Sequence, residues 1–175
     1  ENSRIGFSHN SMDACRAERK VGYFFTAGEV YGNHYRCPTY QEQIALNYGS
    51  LVAGITGLEF FYALPINPGN WRGMVQIARE FAILTPVVCS VEDAAEAQIS
   101  DSAVKFTTRR LNGKFYVIAV NTENRPAKGV GITLPAGLKF GPKVEVLFDN
   151  RSIRQADGRF QDDFEPYSRR VYSVN

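Results

Sequence analysis

The sequence predicts an α/β portion of consecutive βα units followed by an all-β portion, a small antiparallel sandwich. Three observations carry this expectation. Two short apolar, aromatic-rich runs, at residues 23–29 and 58–64, are each followed by apolar residues at helical spacing. The helical period disappears after Pro86. From there to the C-terminus, short alternating runs are separated by Asn-Gly and Asp-Gly turn signals.

The first run, Tyr23-Phe24-Phe25-Thr26-Ala27-Gly28-Glu29, reads as a strand ending in a carboxylate. A helix start follows at Pro38 and Thr39-Tyr40-Gln41-Glu42, where the Thr hydroxyl can cap the Glu42 N–H while the Glu42 carboxylate reaches back, a capping box. Tyr40, Ile44, Ala45, Tyr48, Leu51, Val52 and Ile55 then mark one helical face, and Gly54 and Gly57 end the element. The second run, bounded by Gly57 and Pro65, suits a strand covered on both faces. Glu59 interrupts it. An unpaired carboxylate is costly to bury, so Glu59 reads either as an internal ion-pair member or as a residue projecting into a site. From Asn70, expected as an N-cap, the run Trp71, Met74, Val75, Ile77, Ala78, Phe81, Leu84 repeats the helical period until Pro86 stops it. Trp71 is expected in the core rather than as a substrate platform. A short helix is also expected around residues 12–20, as the tail of an earlier unit.

Strand, helix, strand, helix in this order reads as two consecutive βα units of a parallel sheet or barrel, with Glu29 on the rim where such folds keep their chemistry. A complete (β/α)8 barrel takes roughly 250 residues, and the chain has 175. The fold class expected is therefore α/β plus all-β: the last two βα units of a TIM-type barrel at residues 1–88, followed by an antiparallel β-sandwich domain at 89–175. The chain is expected to be a C-terminal piece of a larger protein. A small doubly wound domain is the alternative, but no Gly-x-Gly-x-x-Gly or P-loop follows a strand, so nucleotide binding has no support.

An acidic, small-residue link at 90–97 suggests the domain boundary. Strands are expected at 104–111 and 114–121 around Asn112-Gly113, at 129–134, 143–148 and 167–174, with Asp157-Gly158 as a further turn. The carboxylates Asp149, Asp157, Asp162, Asp163 and Glu165 read as solvated turn chemistry. Phe115, Tyr116, Phe160, Phe164, Tyr167 and Tyr172 read as core and docking residues, with a sugar-stacking platform as the alternative.

Composition narrows the function classes. Net charge is only +2, and the pairs Arg109-Arg110 and Arg169-Arg170 lie in strand patterns that send neighbours to opposite faces, so a nucleic-acid groove is not expected. No apolar run approaches the roughly 20 residues of a membrane span. Cys15, Cys37 and Cys89 are widely spaced, with only His9 and His34 as imidazoles, so no metal site and no cofactor are expected. Buried free thiols are the expectation, with one disulfide plus a leftover thiol as the alternative.

A strand closed by Gly28-Glu29, the loop to Arg36-Cys37-Pro38-Thr39, the helix bearing Leu46-Asn47-Tyr48-Gly49, the Gly54-Ile55-Thr56-Gly57 turn and the strand Phe60-Phe61-Tyr62 together resemble the C-terminal part of retaining glycoside hydrolases of the β-galactosidase-like barrel superfamily. The tail, with Val144 to Arg151, Asp157-Gly158-Arg159-Phe160 and Phe164-Glu165-Pro166-Tyr167, looks like the closing strands of their C-terminal β-domains. The resemblance implies that Glu29 matches the nucleophile ending the seventh barrel strand. It implies that Phe61 or Tyr62, at the end of the eighth, stacks under a sugar, and that His34, Tyr35 and Arg36 reach its hydroxyls. It further implies a carbohydrate substrate and an extracytoplasmic or secreted location. A retaining mechanism needs a second carboxylate about 5–5.5 Å from the nucleophile, and the family's acid/base residue ends a fourth strand that this chain does not contain. That partner would come from the remaining barrel segment or another chain. Against the catalytic reading, Glu29 could be a solvated loop carboxylate or a salt-bridge partner for Arg36, and His34 an ordinary loop histidine. A non-catalytic carbohydrate-binding or subunit-assembly module is the competing function.

Overall fold

The computed structural model describes residues 23–27, 38–55, 57–61 and 68–175. Two strands, β1 (Tyr23–Ala27) and β2 (Gly57–Phe61), pair in parallel, and helix α1 (Tyr40–Val52) lies between them in sequence. Helix α2 (Pro68–Val88) follows β2. Eight further strands complete the described chain: β3 (Gln98–Ile99), β4 (Val104–Leu111), β5 (Lys114–Asn121), β6 (Ala127–Thr133), β7 (Lys143–Leu147), β8 (Arg151–Arg154), β9 (Arg159–Phe164) and β10 (Arg169–Val174). They form a five-stranded antiparallel sheet in the order β4-β5-β10-β7-β8 and a three-stranded one in the order β3-β6-β9.

Helix α1 begins as its sequence dictates. Thr39 Oγ1 accepts the Glu42 N–H at 3.2 Å and Glu42 Oε2 accepts the Thr39 N–H at 2.8 Å, satisfying two of the otherwise orphaned donors. It ends in a Schellman motif: Gly54, at φ 105, donates to Leu51 O and Ile55 donates to Ser50 O.

Helix α2 departs from the sequence expectation at both ends. It starts at Pro68, not after an Asn70 cap, because a proline at the first helical position gives up only an N–H that has no intrahelical partner. It also continues through Pro86 to Val88. Proline forfeits one hydrogen bond, but Val87 and Val88 are buried, and Val88 packs into the core shared with the sheet. Tertiary burial outweighs the local break.

The five-stranded sheet is covered on both faces. Along β5, Phe115, Val117 and Ala119 join Val144, Val146, Tyr172 and Val174 in a core closed by Val130, Ile132, Phe160 and Phe164 of the three-stranded sheet. The intervening Ile118 and Val120, with Val171, face Ile44, Tyr48, Leu51, Ile77 and Leu84 of the two helices. The period-two alternation of each central strand therefore serves two cores. The link at 89–97 separates helices from strands in sequence, while the second core joins them in space.

Both predicted turns adopt the left-handed backbone that two-residue hairpin loops need, with φ 51 and 80 at Asn112 and Gly113 and 51 and 74 at Asp157 and Gly158. Strand β6 starts two residues earlier than expected, because a register irregularity between Ala127 and Val130, with Gly129 at φ 60, bends the strand without ending it. Of the expected core aromatics, Phe115, Phe160, Phe164, Tyr167 and Tyr172 are buried and Tyr116 is half-buried. Trp71 is not in the core: it is 52% exposed on α2. Cys89 is a free thiol but an exposed one, just beyond the end of α2. Cys15, Cys37, His9 and the helix expected at 12–20 lie outside the described residues.

Candidate functional site

The frame of the expected site is a pair of strand ends. Ala27 and Phe61, the last residues of β1 and β2, are register partners in the parallel pair. Neighbouring strands lie about 4.8 Å apart, so the chain leaves both strands side by side and in the same direction. Phe61 is the one expected site residue in a described element, and only its backbone position is described. Glu29, His34, Tyr35, Arg36 and Tyr62 lie outside the described residues, as does the side chain of Glu59, whose backbone pairs with Phe25.

The helices are fixed to the five-stranded sheet by a buried polar cluster. Arg169 on β10 meets Glu80 on α2 in a two-pronged pair, Nη2 to Oε1 at 2.5 Å and Nε to Oε2 at 3.1 Å. Tyr48 on α1 donates its hydroxyl to Glu80 Oε2 at 2.5 Å, and Gln76 donates its amide to Oε1 at 2.8 Å. Tyr40 donates in turn to Gln76 Oε1. The third prong of Arg169, Nη1, reaches Asp149 Oδ1 at 2.7 Å. Its guanidinium lies 5.5 Å from the Phe148 ring centroid and 5.9 Å from that of Tyr48. Phe148 reaches this contact at φ 68, a left-handed conformation that costs a bulky residue about 1–3 kcal/mol.

The electrostatics follow the geometry. Burial alone pushes the Glu80 carboxyl up, but the hydrogen bonds from Arg169, Tyr48 and Gln76 and the Arg169 charge outweigh it and hold the group below the ordinary carboxylate range. Burial and the Glu80 charge push the Tyr48 phenol well above its usual value, so it stays a donor. A fully satisfied cluster of this kind orients helices on a sheet and offers no open position to a ligand.

A second cluster corrects the expectation of solvated turn carboxylates. Asp162 and Asp163 lie in β9, not in a turn. Asp162 turns inward and accepts from Arg151 Nη2 at 2.6 Å and from the Tyr172 hydroxyl at 3.0 Å. Arg169 and Arg170 point to opposite faces as alternation requires, one to Glu80, the other over the Phe164 ring at 5.7 Å. Asp149 bridges the two arginines, 2.7 Å from Arg169 and 3.4 Å from Arg170.

The β7–β8 hairpin carries a shallow groove of about 470 Å³ lined by Lys143, Glu145, Leu147, Phe148, Asn150 and Ser152. Among the described residues, no group of three or more His, Cys, Asp or Glu side chains could hold a metal ion, and no helix is long and apolar enough to cross a membrane. Sequence reasoning missed Glu80 and its partners. The available signal was one carboxylate between Ile77, Phe81 and Leu84 on the otherwise apolar inward face of α2.

No protein-family model matches the chain, and no curated protein matches it. Solved structures do. An Anoxybacillus α-amylase superposes with a TM-score of 0.58 at 13% identity, over 94% of this chain and 40% of that one. The α-amylase of Geobacillus thermoleovorans, solved with acarbose, gives 0.64 at 9% identity over 93% and 42%. A glycoside hydrolase family 30 subfamily 8 xylanase from Clostridium acetobutylicum gives 0.54 at 12% identity over 93% and 44%. AmyP, solved with maltose, is similar at a TM-score of 0.64. At these identities the likeness is one of fold: the two helices and the antiparallel sheets match portions of glycoside hydrolase structures. The chain spans less than half the length of the chains it matches.

Proposed function

We propose that this chain is the C-terminal portion of a retaining glycoside hydrolase, comprising the last two βα units of a (β/α)8 barrel within residues 1–88 and a buttressing β-sandwich domain at 89–175. The observation that carries the reading is the parallel β1–β2 pair, whose last residues, Ala27 and Phe61, stand side by side in register, ahead of two helices seated on a sandwich. Glu29, two residues beyond the end of β1, is the nucleophile, and the acid/base carboxylate belongs to a strand outside this chain. Phe61 or Tyr62 stacks beneath the sugar ring, and His34, Tyr35 and Arg36 bind its hydroxyls.

The chemistry requires the Glu29 carboxylate to attack the anomeric carbon as its partner, about 5–5.5 Å away, protonates the departing oxygen. Water then hydrolyses the glycosyl-enzyme with the same partner acting as base. The fold likeness to α-amylases and a xylanase supports a carbohydrate substrate; acarbose and maltose are the sugars seen in two of those similar structures. Replacing Glu29 by Gln in the polypeptide that carries the complete barrel should reduce aryl glycoside turnover by about three orders of magnitude or more. Azide should restore turnover to a Glu29→Gly form. Undiminished turnover in the Gln form rejects the assignment.

A further inference from the structure

We propose that the groove on the β7–β8 hairpin is a binding site for a short neutral saccharide, distinct from the strand ends that frame the expected catalytic site. The groove is built wholly from residues of the sandwich, and its argument does not depend on the role given to Glu29.

Alternation along β7 builds the groove. Val144 and Val146 are buried in the core between the two sheets, so Lys143, Glu145 and Leu147 lie on the opposite face, the one that the helices share. The helices rest mainly on β4, β5 and β10, and at β7 and at β8, the last strand of the sheet, this face stands open: Lys143, Glu145 and Ser152 are exposed. Glu145 and Ser152 are register partners, so they stand side by side across the two strands. Leu147 and Phe148 are half-buried. They pack against the core under the helices and also line the groove, of about 470 Å³.

Three observations point to the class of ligand. The first is anatomy: an apolar floor, Leu147 and Phe148, meets a rim of Glu145, Asn150 and Ser152, whose carboxylate, amide and hydroxyl both donate and accept, within the volume that small-molecule sites occupy. The second is charge. Lys143 Nζ lies 3.2 Å from Glu145 Oε1, and Arg151 Nη2 lies 2.6 Å from Asp162 Oδ2, so each cation of the lining already has its carboxylate. A phosphate would want cations without such partners. A pyranose carries no charge, sets C–H groups on a ring face and hydroxyls around its edge, and so matches floor and rim together. The third is strain at the floor: Phe148 sits at φ 68 and Asn150 at φ 52, and while asparagine tolerates the left-handed region, phenylalanine there is an outlier. The Arg169 guanidinium, 5.5 Å from its ring centroid, holds the ring in place. Backbone strain kept by surrounding contacts clusters at ligand clamps.

The test is a titration of the 175-residue chain followed by proton–nitrogen correlation spectra, which resolve the groove residue by residue. Maltotriose, xylotriose and mannotriose are the probes. At least one should shift the amides of residues 143–152 saturably at millimolar concentration, the Asn150 side-chain amide among them. Ser152→Tyr fills the groove from an exposed strand position that suits an aromatic, and should abolish those shifts. Asn150→Gly keeps the left-handed backbone, removes the amide, and should weaken binding about fivefold. Unmoved signals from the rest of each variant's spectrum show that it folds. No saturable shift at 143–152 with any of the three sugars overturns the proposal, as do equal shifts with inorganic phosphate or indifference to Ser152→Tyr. Shifts confined to residues 23–37 and 57–67 would report the expected catalytic frame instead, and also overturn it. Glu29→Gln leaves the response at 143–152 untouched, so failure of the glycosidase reading and failure of the groove register in different measurements.

Discussion

Arg169→Met is the most informative single perturbation. Methionine keeps most of the apolar stem and removes the guanidinium, leaving Glu80 buried with only the Tyr48 and Gln76 donors to offset its charge. Both side chains of the pair are at most 10% exposed, so solvent screening is slight. Breaking such a pair from one side costs about 3–5 kcal/mol, because the remaining charge stays desolvated. For a chain of this size the loss lowers the melting midpoint by about 6–20 °C. Asp149 contributes little to the loss, since Arg170 at 3.4 Å and Arg151 at 3.8 Å remain beside it. The assay is urea unfolding of wild type, Arg169→Met, Glu80→Leu and the double variant. Removing both charges leaves no stranded ion, so the double variant should be more stable than Arg169→Met, with a coupling of about 2 kcal/mol or more. Single losses below about 1 kcal/mol, or a double variant equal to the sum of the singles, would refute the reasoning.

The same cluster predicts acid sensitivity. With the folded Glu80 carboxyl held below its ordinary value, its contribution is complete above about pH 4.5 and is lost as pH falls through the depressed folded value. The offset between the unfolding curves of wild type and Glu80→Gln should therefore shrink as pH falls below the unfolded carboxyl value of about 4.3; a constant offset down to acid would count against it. Tyr48 and Tyr172 are raised by burial first and by Glu80 and Asp162 next, so their neutral forms stabilise the fold below the unfolded phenol value of about 10 and that stabilisation fades as pH rises past it. Alkaline titration of tyrosinate absorbance should leave at least two of the nine tyrosines unionised until the protein unfolds. Leu84→Ala should cost about 2–5 kcal/mol, because Leu84 is fully buried between helix and sheet. Trp71→Ala should cost under about 1 kcal/mol in the isolated chain, and a larger loss would mean that Trp71 is covered in solution.

Much of the fold was legible because its signals are local. The capping box at Thr39 and Glu42 and the turns at Asn112-Gly113 and Asp157-Gly158 are set by backbone chemistry within four residues, and each forms as read. The elements that escaped answer to distant contacts. Pro86 looked like a stop, and only the burial of Val87 and Val88 carries α2 past it. Strand β8, Arg151-Ser152-Ile153-Arg154, has little alternation to show, since it is a charged edge strand with one half-buried residue. Strand β9 hides its pattern because the inward position between Phe160 and Phe164 is Asp162, whose partners Arg151 and Tyr172 come from two other strands. Trp71 shares its helical spacing with true core residues, and spacing alone does not say which of two apolar faces is covered within the chain. Of the candidate site, the described residues include its frame, the paired ends of β1 and β2, while Glu29, His34, Tyr35, Arg36 and Tyr62 fall beyond that frame.

The interface between helices and sheet divides its labour in a way that bears on that frame. Ile118, Val120 and Val171 present a surface of branched apolar side chains to Ile44, Leu51, Ile77 and Leu84. Such a surface supplies attraction without direction, since hydrophobic burial depends on area and tolerates sliding. Directionality comes from the Arg169 fork, which must meet both Glu80 oxygens while its third prong holds Asp149. Because a buried ion pair adds little net stability over well-packed apolar residues, its value here lies in setting one orientation of α2, and through Tyr48 of α1, on the sheet. Helix α1 in turn touches β1, one of the two strands whose adjoining ends would carry a divided site. A retaining mechanism tolerates little error in the spacing of its two carboxylates. A sandwich that grips both helices through one rigid polar joint would hold half of such a site still while the other half is brought to it.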